Sequence, residues 1–125
     1  MNIQVPISLG ELYDKFSILE IKKEKIKDNN KLQNIEKEYN ELNKIIKTLN
    51  FDKELYYKLK NVNLKLWDIE DKIRIKEKNK EFDNEFIKIV RNVYYTNDER
   101  SKIKNQINLK YNSNFIEEKS YEKYN

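Results

Sequence analysis

The chain has 125 residues, a formal net charge of +4, one glycine, one proline, no cysteine and no histidine. The missing cysteines and histidines exclude disulfides, thiolate or histidine catalysis and ordinary zinc sites, so a metal could bind only through oxygen ligands. One glycine is too few for the tight turns that a sheet protein of this length needs. These facts favour a single all-α domain over residues 1–125.

The first predicted helix follows a short extended arm. Ser8 is a candidate N-cap, and Glu11, three residues on, completes a capping box. Ile7 and Leu12 occupy the positions of a hydrophobic staple. Apolar residues then recur at intervals of three and four until residues 28–30, where we expect the helix to end.

The same spacing predicts a second helix from about residue 31 to 49 and a third from about 53 to 78. Asn50 should end the second helix, and Asp52 is a plausible cap for the third. The loop between the first two helices is short, so they should pack antiparallel as a helical hairpin.

The fourth helix should begin near Phe82, and its end can be read in two ways. Thr96 and Glu99 form a second capping box, which would start a fifth helix. We favour one helix, straight or slightly kinked, to about residue 111, because Ile103 and Ile107 stay on its apolar face. The sequence therefore predicts an antiparallel bundle of four long helices and a polar tail over residues 112–125.

A second stripe runs along the third helix, roughly 90° from its core stripe on a helical wheel. Its members are Tyr56, Asn63, Trp67, Glu70 and Arg74. An aromatic plane, an amide, a carboxylate and a guanidinium in line suit recognition of a polar, planar or phosphorylated ligand. The alternative is that Trp67 packs against a neighbouring helix and that Glu70 and Arg74 form a surface pair worth ~0.3–0.5 kcal/mol.

Three polar residues fall on the apolar line of a continuous fourth helix: Asn97, Arg100 and Lys104. A guanidinium on a buried face is costly unless it is paired or faces a ligand. Arg100 could pair with Glu70 or Asp71, or converge with Arg74 on an anion. If the helix instead breaks at Thr96, all three side chains could turn into water.

Two pairs of carboxylates have i,i+3 spacing, Glu38/Glu41 on the second helix and Asp68/Asp71 on the third. Such pairs on antiparallel helices could hold Mg²⁺, as in the all-α nucleotide pyrophosphohydrolases. The surroundings of Glu38 and Glu41 are rich in lysine and glutamate, where this spacing arises by chance. We therefore keep the metal site as a minor alternative.

Four segments carry a family resemblance. The first is Pro6 with GEL at 10–12, DK at 14–15 and ILEIK at 18–22, and the second is LWDIEDKIR at 66–74. The third is RNVY at 91–94 with ND at 97–98, RSKIK at 100–104 and IN at 107–108, and the fourth is EEKSY at 117–121. They resemble an uncharacterised bacterial family known only as a domain of unknown function. The resemblance implies no activity. It implies a set of family-defining residues, namely Glu11, Asp14, Lys15, Glu20, Trp67, Glu70, Asp71, Arg74, Tyr94, Asn97, Asp98 and Arg100.

Three functions remain open, and the sequence leans away from an enzyme without deciding the question. The first is non-catalytic binding of a small anionic ligand, nucleotide-like or sugar-phosphate-like, between helices 3 and 4, with no cofactor. Its candidate residues are Tyr56, Asn63, Trp67, Glu70, Arg74, Tyr94, Asn97, Arg100 and Lys104, followed by Glu11, Asp14, Lys15 and Glu20. The second is assembly through homo-oligomerisation. The third is a Mg²⁺- or Mn²⁺-dependent nucleotide pyrophosphohydrolase.

The sequence also indicates where the protein acts. No apolar run approaches ~20 residues, and the N-terminus lacks a basic-then-apolar signal layout. Acidic and basic residues interleave along every helix, so there is no basic stripe. We therefore expect a cytoplasmic protein with no membrane partner and no nucleic-acid partner.

Overall fold

A computed structural model of the chain describes residues 1–113 and 115–124. It contains four helices, α1 (Leu9–Lys25), α2 (Asn29–Ile46), α3 (Lys53–Lys78) and α4 (Asn84–Lys110), and no strand within those ranges. The predicted all-α bundle of four long helices is confirmed, and α4 passes through Thr96 without a break. Asn114 and Asn125 of the predicted tail lie outside the described residues.

Each helix begins at a side chain that accepts a backbone hydrogen bond: Ser8, Asp28, Asp52 and Asp83. Asp28 corrects one predicted boundary. It caps the start of α2 by accepting from the N–H of Lys31, so α1 ends earlier than expected. The second helix also ends at Ile46, before the predicted residue 49.

Helix α1 lies at the centre of the bundle and packs against each of the other three helices. It runs antiparallel to α4, because Gly10 contacts Asn108 whereas Asp14, one turn later, contacts Arg100. The backbones of α3 and α4 pack together as a hairpin. Of the other three helices, the backbone of α2 contacts only α1. The core lies where α1 meets its neighbours, and its buried members are Leu12, Tyr13, Phe16, Ile46, Tyr56, Leu59 and Ile107.

The single glycine sets the distance between α1 and α4. A Cβ atom at Gly10 would lie 2.6 Å from the carbonyl oxygen of Lys104 and 2.8 Å from Oδ1 of Asn108. The Gly10 N–H instead donates to that Oδ1 at 2.7 Å. Glycine is therefore needed here for close packing of two helices.

The α3–α4 hairpin extends past the end of α1. Helix α3 has 26 residues and α1 has 17, so α3 is about 14 Å longer at 1.5 Å per residue. Beyond α1 the hairpin exposes apolar side chains: Ile75, Phe82 and Ile87 are 59%, 55% and 54% exposed. No helix in the described part of the chain is both long and apolar enough to cross a membrane.

Candidate ligand cleft

A buried carboxylate joins three helices. Asp14 on α1 is only 3% exposed. Its Oδ1 accepts from Nδ2 of Asn63 on α3 and from Nε of Arg100 on α4, both at 2.9 Å, and its Oδ2 accepts from Nη2 of Arg100. The Ser17 hydroxyl donates to the Asp14 carbonyl and accepts from Asn63, each at 2.8 Å. Asp14, Ser17, Asn63 and Arg100 are therefore joined in one hydrogen-bonded network.

The two bonds from Arg100 to Asp14 fix the plane of the guanidinium. They occupy Nε and Nη2, so Nη1 and the outer N–H of Nη2 point away from the carboxylate. The side chain of Arg100 remains 30% exposed. The hydrogen bonds that Arg100 donates to Asp14 also raise the pKa of Arg100, which stays charged at any physiological pH.

Lys104 lies one turn further along α4 and is 5% exposed. Its Nζ bonds Glu11 at 2.5 Å and Glu117 at 2.9 Å, and lies 3.9 Å from Asp14. Burial lowers the pKa of Lys104, but the bonds to Glu11 and Glu117 outweigh it, and the pKa is raised. Lys119 and then Lys104 lower the pKa of Glu117. This second group of charges ties the C-terminal segment to α4.

Beside Asp14 and Arg100 lies an open cleft of about 550 Å³ between α1, α3 and α4. Its apolar surface comes from Ile18, Ile21 and Leu66. Six of the nine leading candidates from the sequence line it: Asn63, Trp67, Glu70, Arg74, Asn97 and Arg100. Asp71, named by the family resemblance, lines it too. The sequence therefore identified most of the cleft, although α1 also forms part of it.

The other three leading candidates lie elsewhere. Tyr56 is 3% exposed and packs in the core against Tyr13 and Phe16. This is because α3 packs against both α1 and α4, so more of its surface is buried than the single apolar stripe of the helical wheel. Lys104 is held by ion pairs outside the cleft. Tyr94 is 40% exposed and lines a second, adjoining cleft.

Of the two roles considered for Arg100, the pairing with Glu70 or Asp71 is wrong, because its partner is Asp14 on α1. Arg74 does line the same cleft, but it is 78% exposed and lies 3.7 Å from Glu70. It also lies about 16 Å along the axis of α3 from Asn63, at 1.5 Å per residue. Arg74 is therefore at the outer end of the cleft and Arg100 at the inner end.

The candidates from the first helix fall into two groups. Asp14 and Glu11 belong to the buried ion pairs. The capping box predicted that the Glu11 side chain would bond to the start of its own helix, but it accepts a hydrogen bond from Lys104 instead. Lys15 is exposed and pairs with Glu38 at 3.1 Å. Glu20 pairs with Lys60 at 2.6 Å. Lys15 and Glu20 therefore have partners outside the cleft.

Sequence reasoning missed Ser17, Ile18 and Ile21, although a signal was present. Asp14, Ser17 and Ile21 follow intervals of three and four, which places them on one face of α1. All three are buried. This second buried face of α1 shows that the helix has neighbours on more than one side.

The two carboxylate pairs proposed for a metal do not meet. They lie on α2 and α3, and the backbone of α2 packs only on α1. Glu38 pairs with Lys15, and Glu41 pairs with Lys44 at 3.0 Å. Within residues 1–113 and 115–124, no three acidic side chains are grouped so that they could hold a metal ion.

Fold and site together define an all-α bundle protein with a polar cleft beside a buried arginine–carboxylate pair. The chain belongs to the family described as "Family of unknown function (DUF6165)", whose family model matches residues 3–124. The predicted resemblance to a domain of unknown function is thereby confirmed. Neither a curated protein nor a solved structure matches the chain.

Proposed function

We propose that the cleft between α1, α3 and α4 binds a small anionic ligand, nucleotide-like or sugar-phosphate-like, without catalysing a reaction. The observation that carries this proposal is the guanidinium of Arg100. Asp14 holds one edge of it, and the side chain lines the cleft. A guanidinium fixed in advance forms charge-assisted bonds to an oxyanion at little cost in conformational entropy.

A contribution to stability alone is a weak explanation for the ion pair between Asp14 and Arg100. A buried ion pair is often no more stabilising than apolar side chains of similar volume. Here Asp14, Asn63 and Arg100 come from three different helices and meet at the wall of a cleft. We infer that the arrangement serves to hold Arg100 in a fixed orientation.

The remaining lining favours a nucleotide-like ligand over a simple anion. Asp14 balances the charge of Arg100, and Glu70 and Asp71 outnumber Arg74, so the cleft has no large positive field to attract anions in general. Those carboxylates can accept hydrogen bonds from amino groups of a ligand. Trp67, half-buried in the wall, can stack on a flat ring.

Titration calorimetry with nucleosides, nucleotides and sugar phosphates tests the proposal. Trp67 is the only tryptophan, so its fluorescence reports on the cleft directly. We expect Asn97→Ala to weaken binding tenfold or more, about 1.4 kcal/mol. Asn97 lines the cleft and makes no bond to the Asp14 carboxylate, so its loss should leave the fold intact.

The matched control is Lys65→Ala on α3, since Lys65 is exposed and pairs with Glu99 away from the cleft. It should leave the affinity unchanged. Absence of any binding by the wild-type protein across the panel contradicts the proposal. Equal affinities of the wild type and the Asn97→Ala variant contradict it as well.

Assembly is a second candidate, and the far end of the α3–α4 hairpin favours it. Ile75, Phe82 and Ile87 are more than half exposed there, and exposed apolar surface often marks a protein interface. Light scattering at tens of micromolar would show a dimer that Ile87→Ser weakens. A monomer at that concentration contradicts this candidate.

A further inference from the structure

The C-terminal segment, residues 117–124, folds back along α4 and encloses a second cleft of about 790 Å³. One anchor is the bond from Lys104 to Glu117, at 2.9 Å. Another is the hydroxyl of Tyr124, which donates to Asp98. The Tyr124 ring also packs edge-on against Tyr94, with centroids 5.0 Å apart. The segment therefore forms one wall of this cleft and α4 forms the other.

The two clefts adjoin at one point on α4. Asn97 and Arg100 line both of them. The inner edge of the Arg100 guanidinium is bound to Asp14, which leaves its outer edge free of that carboxylate. Since the clefts share these two residues, we refer to them as the tryptophan compartment, which contains Trp67, and the tail compartment, bounded by residues 117–124.

The compartments differ in charge. Arg100 lines both and is paired with Asp14, so it does not distinguish them. The tryptophan compartment otherwise has one cation, Arg74, against two carboxylates, Glu70 and Asp71. The tail compartment otherwise has two cations, Lys119 and Lys123, against two carboxylates, Asp98 and Glu122. The tail compartment is therefore the less negative of the two and the one that contains lysines.

Building on the proposed function, we propose that a nucleotide-like ligand lies across both compartments with its phosphate in the tail compartment. The flat ring contacts Trp67, and its amino groups face Glu70 and Asp71. The phosphate bonds the outer edge of Arg100 and is neutralised further by Lys119 and Lys123. This orientation assigns a phosphate-binding role to the C-terminal segment.

The experiment compares adenosine and guanosine with their 5′-monophosphates on the full chain. The wild-type protein should bind a monophosphate at least tenfold more tightly than its nucleoside. The double variant Lys119→Ala/Lys123→Ala should lose that difference and keep the nucleoside affinity. Both lysines are exposed, so the variant should fold normally, which circular dichroism checks. Lys88→Ala, an exposed lysine elsewhere on α4, is the control and should change neither affinity.

Two other outcomes are informative and distinct. If nucleosides bind but a phosphate adds nothing, or the double variant weakens both ligands equally, the tail compartment is not the phosphate site and the proposed function survives. If the wild-type protein binds neither nucleosides nor nucleotides, the orientation and the nucleotide-like ligand both fail.

Discussion

The two halves of the α3–α4 hairpin show what a third helix contributes. In the half that packs on α1, Asn63 and Lys104 are buried at about 5% exposure, and both have hydrogen-bond partners. In the half beyond α1, apolar residues such as Ile87 are exposed. There Lys76 forms ion pairs with three carboxylates, those of Glu81, Asp83 and Glu85, each of which is at least half exposed. The same two helices thus bury charge where α1 supplies a partner and expose apolar surface where it does not.

This contrast indicates in which half of the hairpin substitutions should change the stability of the fold. The carboxylates around Lys76 are exposed, so water screens these ion pairs and each adds little to the stability of the fold. Breaking a buried pair costs far more, because the remaining charge has lost its water as well as its partner. The half that contains the cleft should therefore be sensitive to single substitutions, and the far half should tolerate them.

The largest effect is expected from Asp14→Asn. This near-isosteric change leaves Arg100 half-buried without the carboxylate that accepts its two hydrogen bonds. We expect the free energy of unfolding to fall by about 3–5 kcal/mol in urea denaturation followed by circular dichroism. The control Glu70→Gln removes an exposed carboxylate from α3 and should change it by less than ~0.5 kcal/mol. A loss below ~1 kcal/mol for Asp14→Asn would contradict the comparison.

The apolar residues of α4 allow a matched test of the two halves. Ile107 is completely buried against α1, and Ile87 is 54% exposed. Ile107→Ala should therefore lower the free energy of unfolding by about 2–5 kcal/mol. Ile87→Ala should cost less than ~1 kcal/mol in a monomer. Similar losses for the two variants, measured in the same denaturation series, would show that the far half is buried in solution.

A smaller loss is expected from Gly10→Ala. Alanine normally stabilises a helix by ~0.5–1 kcal/mol over glycine, but here its Cβ would lie 2.6 Å from a backbone oxygen of α4. Moving the two helices apart should produce a net loss of about 1–3 kcal/mol. The control Asn40→Ala, at an exposed position of α2, should be neutral or slightly stabilising. Thermal unfolding that shows Gly10→Ala at or above wild-type stability would rule out the close contact.

The helices could be predicted because their signals are local. Spacing of apolar residues and the caps at Ser8 and Asp52 depend only on neighbours in the chain. The error at Asp28 is local too, since the same residue can end one helix or cap the next. A continuous α4 could also be inferred, because its apolar face persists through Ile103 and Ile107.

The site could be predicted only in part, because its geometry depends on which helices meet. A wheel identifies polar residues near a core stripe, and six of them do share the cleft. It could not show that Tyr56 would face α1 or that the partner of Arg100 would be Asp14. Those contacts depend on how α1 packs against both α3 and α4, which is a property of the packed bundle.

The smallest expected effect concerns the C-terminal segment, which Glu117 holds against Lys104. The neighbouring lysines keep the pKa of Glu117 below its ordinary value of 4.5 in the folded chain. A lowered folded pKa means that the contact stabilises the segment fully above pH 4.5 and loses this effect as the pH falls through the folded value. The global free energy of unfolding should change by less than ~1 kcal/mol, because the segment lies on the surface.

Ring-proton chemical shifts of Tyr94 and Tyr124 provide the measurement, since these rings lie 5.0 Å apart only when the segment is docked. In the wild-type protein the shifts should move towards undocked values below pH 4.5. Glu117→Gln should show partly undocked shifts at neutral pH, whereas Glu118→Gln, the exposed neighbour, should match the wild type. If Glu117→Gln leaves the ring shifts unchanged, the Lys104–Glu117 bond does not hold the segment. The aromatic contacts of Tyr124 would then be what closes the tail compartment.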